Sequence, residues 1–83
     1  MRITLKFFAS IRESIGHGGE QLDTQATDLA GLRDELLARG GAYARSLARD
    51  KTVRMALNQV MGDESAALSE GAEVAFFPPV TGG

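Results

Sequence analysis

Apolar and polar residues alternate from the first positions of the chain. Ile3, Leu5 and Phe7 point one way while Arg2, Thr4, Lys6 and Phe8 point the other, the period-two signature of a strand with one buried face. Ala9 to Ile15 is a short helix-compatible stretch, and Gly16-His17-Gly18-Gly19 is a turn cluster that ends it. Glu20 to Thr24 returns as a short antiparallel strand with Leu22 inward. The period then changes. Leu29, Leu32, Leu36 and Leu37 fall at helical spacing behind Asp28, a good N-cap, and Gly40-Gly41 supplies the stop. This main helix should run about three turns. Ala42 to Leu47 adds another helical turn or two, with Tyr43 and Leu47 on one side.

Val53, Met55 and Leu57 alternate with Arg54, Ala56 and Asn58 in a third strand that ends near Gly62-Asp63, with Met61 assigned to a short fourth strand. Glu70-Gly71 marks a turn before the last strand, Glu73 to Phe77, in which Val74 and Phe76 face inward. The order strand, strand, helix, strand, short strand, strand suits one mixed sheet packed on one main helix, with the first and last strands as central neighbours. That is an α+β domain of the ubiquitin-like β-grasp kind, spanning residues 1–77 and followed by a tail over residues 78–83. No internal repeat, linker or low-complexity segment interrupts it.

Composition narrows the function. Eighty-three residues with 43% apolar content make one small domain, with a single core and no room for a deep catalytic cleft. A net charge of -2 argues against nucleic-acid binding, which needs a clustered basic face. The absence of cysteine excludes disulfides and thiolate metal sites, and the chain cannot carry sulfur on a thiol of its own. No apolar run approaches the ~20 residues of a membrane span, and Met1-Arg2-Ile3 opens a strand rather than a signal peptide. The expectation is a soluble cytoplasmic protein with no membrane partner.

The ending Phe77-Pro78-Pro79-Val80-Thr81-Gly82-Gly83 stands out. Gly82 and Gly83 have no Cβ and fit a channel too narrow for other residues. Pro78 and Pro79 fix φ and bias the residues before them towards extended backbone, so the arm should project from the body. From Pro78 to Gly83 it can reach roughly 20 Å. Many domains end in a few idle residues, but here a strand runs directly into a proline-stiffened arm.

Phe8 and Phe77 both fall on the outward face at the ends of their strands. If those strands are parallel neighbours, the rings lie together where the arm leaves, a partner-binding patch that Met61 could extend. The plainer alternative is two ordinary exposed rings. Arg12 reads equally as a surface residue or as a planar donor to a partner's carboxylate. Asn58 is either an ordinary turn residue or one that orients backbone through its amide. His17, the only histidine, reads as a solvated loop residue, because a general base must be held in position. The acidic residues are scattered, Asp63-Glu64 is too small a cluster for a metal site, and the glycine loop lacks the lysine and following helix of a phosphate-binding loop. As a catalyst on its own the chain is implausible.

Phe7-Phe8-Ala9-x-x-Arg12-Glu13, Asn58-Gln59 and the run from Glu73 to Gly83 together resemble the small, sulfur-carrying subunit of molybdopterin synthase, the MoaD family. The likeness extends from the first strand to the last residue, and the eleven-residue ending is its most specific part. Ser69-Glu70-Gly71-Ala72 departs from the pattern, since the family usually has an acidic residue after the turn glycine. The resemblance implies that a ubiquitin-activating-type enzyme uses ATP to adenylate Gly83 and that a separate sulfur donor protein converts it to a thiocarboxylate. The loaded arm (Pro78, Pro79, Val80, Thr81, Gly82) then threads into the large subunit, within a heterotetramer. There sulfur passes to cyclic pyranopterin monophosphate to form the molybdopterin dithiolene. Phe8, Arg12, Met61 and Phe77 would meet the partner, the large subunit would supply the catalytic side chains, and this chain would bind no cofactor or metal. A sulfur carrier for thiamine thiazole formation or a ubiquitin-like modifier shares fold and Gly-Gly, and fold does not fix function.

Overall fold

A computed structural model describes residues 1–79; the expectations placed on Val80, Thr81, Gly82 and Gly83 lie outside the described residues. Eight elements follow in the order β1 (Arg2–Phe7), α1 (Ala9–Ile15), β2 (Gly19–Asp23), α2 (Leu29–Leu37), α3 (Gly41–Leu47), β3 (Arg54–Leu57), β4 (Val60–Gly62) and β5 (Glu73–Phe77). The strands form one mixed sheet in the order β2-β1-β5-β3-β4. β1 and β5 run parallel at its centre, with Leu5 opposite Val74 and Phe7 opposite Phe76. The other pairings are antiparallel.

The alternation read from the sequence becomes the core. Ile3, Leu5, Phe7, Met55, Val74 and Phe76 turn to one face and pack with Leu29, Leu32 and Leu36 of α2, Leu47 of α3 and Ile11 of α1. Asp28 caps α2 by accepting a hydrogen bond from the Gly31 amide at 2.8 Å, which satisfies a donor the helix cannot pair internally. Helix α2 is shorter than expected, nine residues with Ala38 at its C-cap. Gly40 (φ 73°) then turns the chain so that α3 can start at Gly41.

Three local readings change. The third strand stops at Leu57 rather than near Gly62-Asp63, because Asn58 and Gln59 both take positive φ (51° and 70°) and form the two-residue turn of the β3–β4 hairpin. Phe8 lies one residue beyond β1 and is the N-cap of α1. Ala56 and Ala75, on the outward face, are nevertheless buried at 7% and 8% exposure, since small side chains in the middle of a sheet are screened by larger neighbours.

Buried Arg33 carries a structural load that its position on an amphipathic helix did not announce. At 4% exposure it donates to the carbonyls of Leu47 (2.7 Å), Ala48 (2.7 Å) and Lys51 (3.1 Å) and lies 3.7 Å from Glu64. Burial pushes its pKa down and Glu64 opposes that shift; a guanidinium stays charged regardless. Arg49 reinforces the same region by pairing with Asp34 and Glu64.

Among the described glycines the least room for a side chain lies at Gly19 on the β1–β2 edge, where a Cβ would stand 2.3 Å from the Leu5 carbonyl oxygen. Gly19→Ala should therefore destabilise the domain by about 1–3 kcal/mol, as overpacking against fixed atoms does. Urea unfolding measures this, and an unchanged midpoint would refute the close approach.

Candidate functional site: the open sheet face and the root of the arm

The helices cover one face of the sheet and leave the other open, and that open face gathers the aromatic residues singled out in the sequence. Phe8 and Phe77 stand with ring centroids 6.2 Å apart, edge to face at 80°, a favourable aromatic geometry. The parallel pairing of β1 with β5 brings them together: the Phe8 amide donates to the Phe76 carbonyl at 3.1 Å, continuing the ladder one residue past β1. Phe8 remains 45% exposed, and Phe77 is half-buried.

Register extends this pair into a patch. Phe77 lies opposite Arg54, and Ala75 opposite Ala56; Ala56 in turn lies opposite Met61, which is 52% exposed. On the other side Ala75 faces Lys6. The result is a low apolar strip, floored by two alanines, with aromatic rings at one end, a methionine on the edge strand and cations at its margins. Lys6 is partly neutralised by Glu73 at 3.2 Å. An exposed strip of this kind, with a polar rim, fits an interface better than isolated surface residues do.

Arg12 does not belong to this strip. Its guanidinium lies over Gly18, where an added Cβ would meet Cζ at 3.4 Å, and it borders a shallow hollow with Gly16 and His17. Asn58 fulfils both of its readings: it forms the hairpin turn, its backbone N–H donates to the Glu73 carbonyl at 2.8 Å, and its side-chain Oδ1 accepts from the Glu73 backbone N–H at 2.9 Å. The turn is thereby tied to the start of β5. Ala72, the departure noted in the last turn, is 2% exposed and part of the core, while its carbonyl accepts from Thr4 at 2.9 Å.

His17 is an exposed loop residue, as expected, and its ring also has partners. Its ring sits edge-on to Phe7 with centroids 5.7 Å apart, and its Nε2 is 3.2 Å from the Tyr43 hydroxyl. Tyr43 donates to Glu20 at 2.8 Å and Arg39 donates to the same oxygen at 2.7 Å, with the Arg39 guanidinium 4.8 Å above the Tyr43 ring. Burial pushes the Glu20 carboxyl up, but the hydrogen bonds from Tyr43 and Arg39 outweigh it and hold the group below its ordinary value. The cluster ties the glycine loop to α3, and no nucleophile accompanies the imidazole. Among the described residues no three His, Asp or Glu side chains gather as a metal site, and no helix is long and apolar enough to cross a membrane.

Pro78 and Pro79 follow β5 and are half-buried, and Pro78 lines a cavity with Ser10, Ser46 and Lys51. The arm thus begins against the domain body at the same sheet edge as the Phe8–Phe77 pair.

A mixed sheet of this order, with helices on one face and an apolar strip on the other, defines a ubiquitin-like β-grasp domain. The chain belongs to the ThiS family, whose model matches residues 5–83. It is 37% identical to the molybdopterin synthase sulfur carrier subunit of Haemophilus influenzae, over 98% of this chain and 99% of that protein. Among solved structures it is similar to SAMP1 from Haloferax volcanii, with a TM-score of 0.77 at 22% identity and full coverage of both chains. It also resembles a chain in the complex of subunits 1 and 2 of molybdopterin-converting factor from Helicobacter pylori, with a TM-score of 0.69 at 26% identity and full coverage of both.

The Glu20 cluster has a defined pH signature. A depressed folded-state pKa contributes stability that is present above the unfolded value of about 4.3 and is lost as the pH falls through the lower folded value. Thermal melts should accordingly show Glu20→Gln below the parent protein at pH 7, with the gap closing in acid below that range. A gap independent of pH would contradict the ion-paired geometry.

Proposed function

We infer that the chain is the sulfur carrier subunit of a molybdopterin synthase. Its full-length similarity to subunits of that name carries the reading, and the ring pair beside the root of a glycine-ended arm supplies the physical rationale. The chain acts as a carrier rather than as a catalyst of its own. Its partner is the large synthase subunit, and the apolar strip containing Phe8, Phe77 and Met61 is the face it presents. A ring buried in a partner removes roughly 150–250 Å² from water at ~25 cal/mol per Å², enough for a pair of phenylalanines to anchor an interface. Arg12, whose guanidinium lies over Gly18 outside this strip, would offer its planar donor at a separate contact.

The chemistry resides at Gly83. A carboxylate is a poor acyl donor because its leaving group would be oxide. In this reading an adenylating partner binds ATP, the Gly83 carboxylate attacks the α-phosphorus, and pyrophosphate leaves. Hydrosulfide released by a donor protein then attacks the acyl carbon, a C–S bond forms, the acyl–oxygen bond to AMP breaks so that AMP leaves with loss of a proton, and Gly83 becomes a thiocarboxylate. Covalent carriage divides a difficult transfer into easier ones. The arm Pro78-Pro79-Val80-Thr81-Gly82 threads the loaded end into the large subunit, where confinement beside cyclic pyranopterin monophosphate provides a proximity advantage that free sulfide lacks. The catalytic side chains belong to the large subunit, this chain holds no cofactor of its own, and the cycle runs in the cytoplasm.

Incubation with the adenylating enzyme, ATP and a sulfur source should raise the intact mass by about 16 Da, sulfur replacing oxygen at the terminus. Adducts on lysines of other proteins, with no such gain, would identify a protein modifier instead. A valine at position 82 would crowd a narrow channel, so Gly82→Val should abolish sulfur transfer while leaving thermal melting unchanged. Phe8→Ala should weaken affinity for the large subunit by about 1–3 kcal/mol, measured by calorimetry; unaltered affinity would exclude the ring pair as an anchor.

A further inference from the structure

We propose that the cavity beside the root of the arm is a binding site for a phosphate group. About 270 Å³ of space lies there, lined by the hydroxyl-bearing Ser10 and Ser14 of α1, Ser46 of α3 and Thr52 ahead of β3, together with Lys51. Among the described residues no carboxylate lines it. Four hydroxyls and one ammonium group drawn from three parts of the chain offer donors from several directions, which suits a tetrahedral oxyanion better than a planar carboxylate.

Ser46 is the independent observation. The residue is 7% exposed, and its Oγ is buried with no hydrogen-bond partner among the described residues. Buried hydroxyls are normally satisfied, and one left unpaired costs about 1–3 kcal/mol. Ser46 lines the cavity, and a ligand oxygen there would supply the partner once the side chain turns towards it.

The wall bearing the cation is also held in place. Arg33 fixes the carbonyls of Leu47, Ala48 and Lys51, and the Lys51 amide donates to the Ala48 carbonyl at 2.9 Å. A loop ordered before the ligand arrives loses little entropy on binding. The volume exceeds that of a bare phosphate, so either the free anion or a phosphate monoester fits. The proposal goes beyond the sulfur-carrier reading, which places no ligand here, and the two stand or fall separately.

The test is an amide NMR titration of the full chain at fixed pH and ionic strength with inorganic phosphate, glycerol 3-phosphate, acetate and chloride. Saturable shifts at Ser10, Ser46 and Thr52 with either phosphate species, absent with acetate and chloride, are expected; tighter binding of the ester identifies an esterified ligand, and the reverse identifies the free anion. Ser46→Ala and Lys51→Met should each weaken binding about tenfold, the loss of one charge-assisted hydrogen bond. Lys6→Met, on the open sheet face, should leave it intact. Ser46→Ala should not lower thermal stability, since it removes an unpaired buried group. Shifts that grow without saturating or that chloride reproduces, meaning an adventitious ion only, would overturn the proposal, as would undiminished binding in both cavity variants.

Discussion

The structure depends on the parallel pairing of β1 with β5. Leu5, Phe7, Val74 and Phe76 are each at most 1% exposed, and they meet across this pairing in a register that turns all four towards the core. Because side chains alternate, burying Phe7 and Phe76 obliges the next residues, Phe8 and Phe77, to emerge together on the open side. The exposed ring pair is therefore a by-product of the core. A slip of one residue would turn one strand inside out relative to the other and so place the two rings on opposite faces.

Each sheet face has its own task. The inner face is continuous with the leucines of α2 and determines whether the domain folds. The outer face stays low because Ala56 and Ala75 occupy its middle, so the larger side chains at its ends can meet another surface without a central obstruction. Polar clusters flank this arrangement: Glu20, Tyr43, Arg39 and His17 hold the glycine loop, while Arg33 and Arg49 hold the connection into β3. Both use long side chains to tie loops that contribute little apolar surface of their own.

Much of this architecture was legible in the chain because its strands bury only one face. Strict alternation in β1 and β5 revealed which residues turn inward, and Asp28 with the leucine spacing revealed α2. The hairpin turn at Asn58-Gln59 was hidden, since no glycine or proline marks it and Gln59 is an unusual occupant of positive φ. Arg33 was hidden for a related reason: an arginine on an amphipathic helix reads as solvent-facing, and the carbonyls it serves lie fourteen to eighteen residues away. His17 looked isolated because Tyr43 is distant in sequence. The ring pair could be anticipated only by combining strand polarity with a parallel pairing, whereas the composition of the arm could be read directly.

The strand that leads into the arm is clamped between two neighbours, β1 on one side and β3 on the other. A pull on the arm along the strand axis would load those hydrogen bonds in shear, many at once, rather than peel them apart singly. The domain can consequently be held by its end without unravelling, so its handle and its mechanical clasp are the same strand.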